Sequence, residues 1–90
     1  EEPDAGEAHA LIELFATLHR HRITHGDLKA SNLLWNAGRF VLIDLDATAQ
    51  HGNARSYLAA WRRDRARLLA NWPAHSRMAA WFDAHLPPAD

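Results

Sequence analysis

The sequence predicts a small α+β domain, mostly α, with one β-hairpin. Three observations predict it. Apolar residues recur at helical spacing in three separate stretches. The stretch between the first two is instead short and apolar before the turn signal Asn36-Ala37-Gly38, and β-branched and aromatic after it. And 90 residues leave room for one domain with a modest core.

The elements follow in order. Over residues 6–22, Leu11, Ile12, Leu14, Phe15 and Leu18 fall on one helix face. Asp4 suits the N-cap, and Arg20, His21 and Arg22 suit the C-terminal end of the dipole. Gly26 marks a break. Residues 32–35 and 40–43 read as the two hairpin strands, with Gly38 in the turn. Residues 47–54 are loop by composition. A second helix is expected over 56–72, with Leu58, Trp61, Leu68 and Trp72 on its apolar stripe and Pro73 ending it. Arg65 falls on that stripe, so it should be partly buried and paired with a carboxylate or carbonyl near the polar loop at 25–32. A third helix over 75–86 carries Met78, Ala79, Trp81, Phe82 and Leu86, and Pro87-Pro88 closes it.

Composition narrows the function classes. The net charge is −1, so no global field favours nucleic acid or anionic lipid. There is no Cys, hence no disulfide, no thiolate nucleophile and no zinc-thiolate site. His19 and His21 do not share a helix face, and zinc is not expected. No apolar run has the length of a membrane span. The chain opens Glu-Glu-Pro without Met and reads as a piece of something longer.

The chemistry lies in "ITHGDLKASNLLW", residues 23–35, and in "VLIDLD", residues 41–46. Asp27 is a carboxylate able to orient an attacking hydroxyl or take its proton. Lys29 brings a compact positive charge suited to a phosphoryl group in transfer. Asn32 offers an amide oxygen and Asp44 a carboxylate, the oxygen ligands that Mg²⁺ prefers. A base, a cation and two magnesium ligands are the parts of a phosphoryl-transfer site. Each has a bland alternative: Asp27 as a turn-former beside Gly26, Asn32 as a turn cap, Asp44 as a solvated strand end. Their joint occurrence in this order favours the chemical reading.

These residues resemble the catalytic loop H-R-D-x-K-x-x-N and the D-F-G aspartate of the protein-kinase-like fold. "HGDLKASNLLW", "VLIDLDA" and "WRRDRARLLANW" together are similar to the lipopolysaccharide core kinases, the Kdo/heptose kinase family. The resemblance implies an ATP- and Mg²⁺-dependent phosphotransferase acting on a hydroxyl of a Kdo or heptose sugar. It implies Asp27 as catalytic base, Lys29 as catalytic cation and phosphate contact, Asn32 and Asp44 as nucleotide-metal ligands, and His25 as a brace. It places the protein in the cytoplasm, at the cytoplasmic face of the inner membrane, with ATP and a sugar acceptor as partners and no nucleic acid.

Two positions depart from the kinase pattern. Gly26 stands where regulated kinases carry Arg, so no phosphorylation switch of that type is expected. Asp46 stands where D-F-G has Gly. The 90 residues also contain no Gly-rich loop and no strand Lys/Glu pair, and Lys29 is the only lysine. Residues 1–90 are therefore read as a partial kinase-like domain, a C-lobe with the N-lobe absent, expected to bind ATP weakly and turn over little alone. The alternatives are another kinase-fold phosphotransferase (small-molecule or Rio/Bud32-type) and a non-catalytic kinase-like binding module. Aminoglycoside enzymes usually carry His where Lys29 stands. The Arg-rich helix reads first as an amphipathic helix with an arginine face. Its Arg62 and Arg63 are candidates to approach anionic groups of the acceptor or of lipid A.

Overall fold

A computed structural model describes residues 5–36 and 39–89. The expected N-cap Asp4 and the turn residues Ala37 and Gly38 lie outside them. Helix α1 (Ala5–Arg20) buries Ala8, Leu11 and Phe15 on one face. It stops before the expected end because the chain reverses at Arg22, whose φ is 55°. The amide of Arg22 bonds back to the His19 carbonyl in a short turn, and the left-handed residue aims the chain into β1.

Strand β1 (Ile23–Thr24) pairs antiparallel with β4 (Ala49–Gln50), Thr24 facing Ala49. This second strand falls where composition predicts loop. Two residues are too few for a period-2 pattern to show. The ladder has a functional consequence: it lays the chain after Asp44 alongside the polar loop that follows Thr24.

The hairpin is β2 (Leu33–Asn36) with β3 (Arg39–Leu42), Leu33 facing Leu42. A 3-10 turn over Ala30–Asn32 leads into it. The pairing continues one step beyond the strands, where the Ile43 amide donates to the Asn32 carbonyl at 3.1 Å. The catalytic and metal candidates thus flank the hairpin at its open end rather than lying within its strands. Val41, Ile43 and Leu45 alternate along this segment and are exposed.

Helix α2 (Ala54–Leu69) starts earlier than expected because Asn53 caps it, its Oδ1 accepting the Ser56 amide at 2.9 Å. It also stops earlier: the amides of Asn71 and Trp72 bond in short turns to Leu68 and Leu69, so the helix has ended before Pro73. Helix α3 (Arg77–His85) is capped by Ser76, whose Oγ accepts the Ala79 amide. Helix α1 packs on β1 and β3, and α2 packs on β1 and α3.

The core joins Leu11 and Phe15 of α1, Trp61 and Leu68 of α2, and Phe82 and Leu86 at α3. Trp72 stacks on Phe82 at a centroid distance of 4.6 Å. Leu28 belongs to this core although it sits in the polar loop, and it is fully buried. Burying a leucine side chain is worth roughly 1.5–3 kcal/mol. It therefore pins the loop between Asp27 and Lys29.

Arg65 corrects one expectation. It is partly buried, with 16% of its side chain exposed. Its partners, however, are the Asp83 carboxylate at 2.7 Å, the Asp83 carbonyl at 2.6 Å and the Pro87 carbonyl at 3.1 Å. It fastens α3 to α2, away from the polar loop. The buried face of α2 is Tyr57, Trp61, Asp64 and Leu68, rotated slightly from the stripe drawn through Leu58 and Trp72. The carboxylate on that face, not the guanidinium beside it, meets the loop.

Candidate active site

The loop after β1 carries its polar groups on a scaffold of named bonds. Asp64 is 4% exposed. Its two carboxylate oxygens accept the backbone amides of His25 at 2.7 Å and Gly26 at 2.9 Å. A carboxylate buried on an apolar helix face must find such donors. Here it finds them in the segment that turns into Asp27.

Gly26 has φ +96°, and a Cβ at that position would lie 2.5 Å from the Ala47 Cβ. The site needs glycine both for backbone conformation and for space. This supplies a local physical reason for the departure from Arg at that position.

His25 is buried and bonded at both ring nitrogens. The Asp27 amide donates to Nδ1 at 3.1 Å, and Nε2 meets the Ile43 carbonyl at 2.7 Å. An amide can only donate and a carbonyl only accept, so the proton sits on Nε2. His25 therefore links the residue that bears the candidate base to the residue before Asp44.

Asn71 holds the far side of the loop. Its Nδ2 donates to the Leu28 carbonyl at 2.9 Å and its Oδ1 accepts the Ala30 amide at 3.0 Å. The side-chain amide thus pairs with the backbone on either side of Lys29, as a strand neighbour would.

Held this way, Asp27 and Lys29 project into partial exposure, with side chains 40% and 46% exposed. The Lys29 Nζ lies 3.6 Å from the Asp27 Oδ2. At that exposure the pair contributes little to stability, and both groups stay accessible. Asn32 is buried, and its Nδ2 donates to the Asp27 carbonyl at 3.0 Å and lies 3.5 Å from the Asp27 Oδ2. Both partners are acceptors, which fixes the amide orientation and leaves Oδ1 as the ligand atom. Asp44 is exposed and takes a left-handed backbone, φ 58° and ψ 67°. The Ile43–Asn32 backbone bond brings the chain at Asp44 beside Asn32.

Asp27, Lys29 and Asn32 are therefore joined by direct side-chain contacts, and Asp44 is joined to them through the backbone. An all-oxygen pair, one amide and one carboxylate, fits a hard divalent cation carried in with phosphates. Among the described residues no three His, Cys, Asp or Glu side chains group as a self-sufficient metal site.

Sequence reasoning missed Asp64 and Asn71. A signal existed for the first: Asp64 sits at helical spacing from Trp61 and Leu68, and a lone carboxylate on a buried stripe demands donors. Asn71 gives no such signal, since its partners in the loop are main-chain atoms distant in sequence.

Near the loop, burial raises the Tyr57 phenol to about 12, and the Asp64 charge adds to the effect. Its hydroxyl lies 2.7 Å from the Nδ1 of His19.

The model of the lipopolysaccharide kinase (Kdo/WaaP) family matches residues 5–72. The chain belongs to that family. The match runs from α1 through the loop, the hairpin and α2 to Trp72, so it takes in every site residue described above. No curated protein and no solved structure matches the chain. Membership makes this a chain of a kinase family. Helix α3, which Arg65 fastens in place, lies beyond the matched residues.

Proposed function

We propose that this chain is the catalytic-lobe part of an ATP-dependent kinase with the protein-kinase-like fold, which phosphorylates a hydroxyl of a lipopolysaccharide core sugar, Kdo or heptose. The observation that carries the reading is the fixed loop. Asp64, His25 and Asn71 secure the backbone on both sides of Asp27 and Lys29 while their charged ends remain reachable.

In this reading Asp27 orients the acceptor hydroxyl and receives its proton as the oxygen attacks the γ-phosphorus of ATP and the bond from that phosphorus to the bridging oxygen breaks, so that ADP leaves. Lys29 offsets negative charge on the phosphoryl group in transfer. The contact between Lys29 and Asp27 supports this reading, since it keeps the two charged groups side by side. Asn32 and Asp44 would hold Mg²⁺, which neutralises phosphate charge when bound. Asn32 also steadies the Asp27 carboxylate through its Nδ2. The exposed row Val41, Ile43 and Leu45 beside Asp44 is where a nucleotide-gripping lobe would close. The family's substrate favours the cytoplasmic face of the inner membrane as the place of action.

The test follows labelled γ-phosphate from ATP to purified lipopolysaccharide core acceptors, using the full-length parent with and without Asp27→Asn. Transfer to a core sugar that falls by at least about 10²-fold in the variant is expected. ATP binding without transfer to these sugars would assign another acceptor. Absence of ATP binding would replace the kinase reading with that of a binding module.

A further inference from the structure

The arginines of α2 divide into two sets. Arg62 donates to the Ala89 carbonyl at 3.2 Å and Arg65 to Asp83 and Pro87, so both serve the C-terminal segment. Arg63 and Arg67 instead lie one turn apart on the face that looks toward the polar loop. There they line a cavity of about 240 Å³ between α2, the end of β1 and the segment around Ala47. Gly26, Ala47 and Ala60 form its walls, and none of them has a side chain long enough to fill it. His51 closes one side, its Nε2 2.9 Å from the Thr24 Oγ1 and its Nδ1 2.9 Å from the Ser56 Oγ.

We propose that this cavity is an anion subsite of the acceptor site, in which Arg63 and Arg67 bind a carboxylate or phosphate carried by the sugar substrate. The proposal rests on the kinase reading above for its functional meaning, but the binding it describes can be measured without catalysis.

Four features favour an anion. First, the volume falls below the ~300–1,000 Å³ of pockets that enclose a whole ligand, so it suits one substituent of a larger molecule. Second, the two guanidiniums offer the forked donors that match carboxylate and phosphate oxygens. Arg63 makes no hydrogen bond or ion pair among the described residues, and Arg67 has only a 3.3 Å bond to the Asn71 Oδ1. Third, the one carboxylate lining the cavity, Asp64, already has both oxygens engaged by the His25 and Gly26 amides. Asp64 is thus held away from pairing with the guanidiniums, and the two cations against this one carboxylate leave a net positive wall. Fourth, Gly26 is the residue before Asp27, so an anion held here fixes a sugar beside the candidate base. The contact of Arg67 with Asn71, which clamps Leu28 and Ala30, connects the subsite to the loop it serves.

The experiment is an NMR titration of arginine Nε–H resonances in this chain at constant ionic strength. The probes are inorganic phosphate, the acidic sugar Kdo and neutral heptose. Saturable shifts of Arg63 and Arg67 with phosphate, with Kdo or with both are expected, and none with heptose. Response to Kdo alone assigns the subsite to a sugar carboxylate, and response to phosphate alone to a phosphorylated acceptor. Arg63→Gln and Arg67→Gln should each weaken binding about tenfold. Arg62→Gln, on the same helix but facing the C-terminal segment, should leave it unchanged. Equal weakening by all three variants, or no saturable shift with either anion, overturns the proposal. Asp27→Asn separates this inference from the kinase reading: it should lower transfer in the parent by at least about 10²-fold while anion binding persists.

Discussion

Asp64→Asn removes the charge that holds the polar loop after β1 while keeping the shape of the side chain. The carboxylate makes two charge-assisted bonds, to the amides of His25 at 2.7 Å and Gly26 at 2.9 Å, in a site 4% exposed. An asparagine can accept only one of these donors through its oxygen. Its NH₂ must face the other backbone N–H, so that buried donor is left without an acceptor. Charge-assisted bonds are worth about 1.5–3 kcal/mol each and an orphaned buried donor costs about 1–3 kcal/mol, so a loss of about 2–4 kcal/mol is expected. A chain of this length has a total stability on the order of 5–13 kcal/mol. The variant should therefore fold, with its urea midpoint lowered by about 1–2 M at an ordinary m-value. Urea denaturation of the chain beside Glu13→Gln, an exposed control on α1, reads the midpoint. Amide hydrogen exchange reads the loop directly: protection at His25 and Gly26 should fall more than protection in α1. If the midpoint moves no further than in the control and both amides stay protected, Asp64 is not what holds the loop.

Two further outcomes follow from the same region. Gly26→Ala brings a Cβ to 2.5 Å from that of Ala47 at a φ of +96°. The backbone penalty and the overpacking together should cost about 2–5 kcal/mol, and a loss under about 1 kcal/mol in urea denaturation would show that the segment yields easily. Tyr57 is raised to about 12 from 10.0, first by burial and then by the Asp64 charge. Its contribution to stability is thus complete below pH 10 and is lost as the pH rises toward 12. In that window the unfolded chain has released the phenol proton and the folded chain still holds it, so stability should fall by up to about 1.4 kcal/mol per pH unit. Phenolate absorbance and denaturation should show this loss in the wild type and its absence in Tyr57→Phe.

The legible part of the protein was its periodic part. All three helices and the hairpin declared themselves through apolar spacing, and the reactive candidates through a dense run of polar residues beside Gly26. What stayed hidden was what holds that run in place. The β1–β4 ladder is too short to leave a pattern. The α2 stripe shares Trp61 and Leu68 between two possible faces, and choosing Leu58 over Tyr57 rotates the helix enough to make Arg65 look like the loop's partner in place of Asp64. Asn71 works by bonding backbone atoms that only the fold brings near. The candidate residues were written in local sequence, and their support in contacts between residues far apart.

The imidazole of His25 has a consequence for how the site moves. With one nitrogen committed to the Asp27 amide and the other to the Ile43 carbonyl, the separation of those two chain segments is set by the width of a flat ring. A ring has no internal torsions to relax. Asp27 and the residue next to Asp44 are therefore mounted on a single rigid spacer, and thermal motion displaces them together. A side chain of similar size with only one bonding end would leave both carboxylates in the protein and still let their relative positions drift.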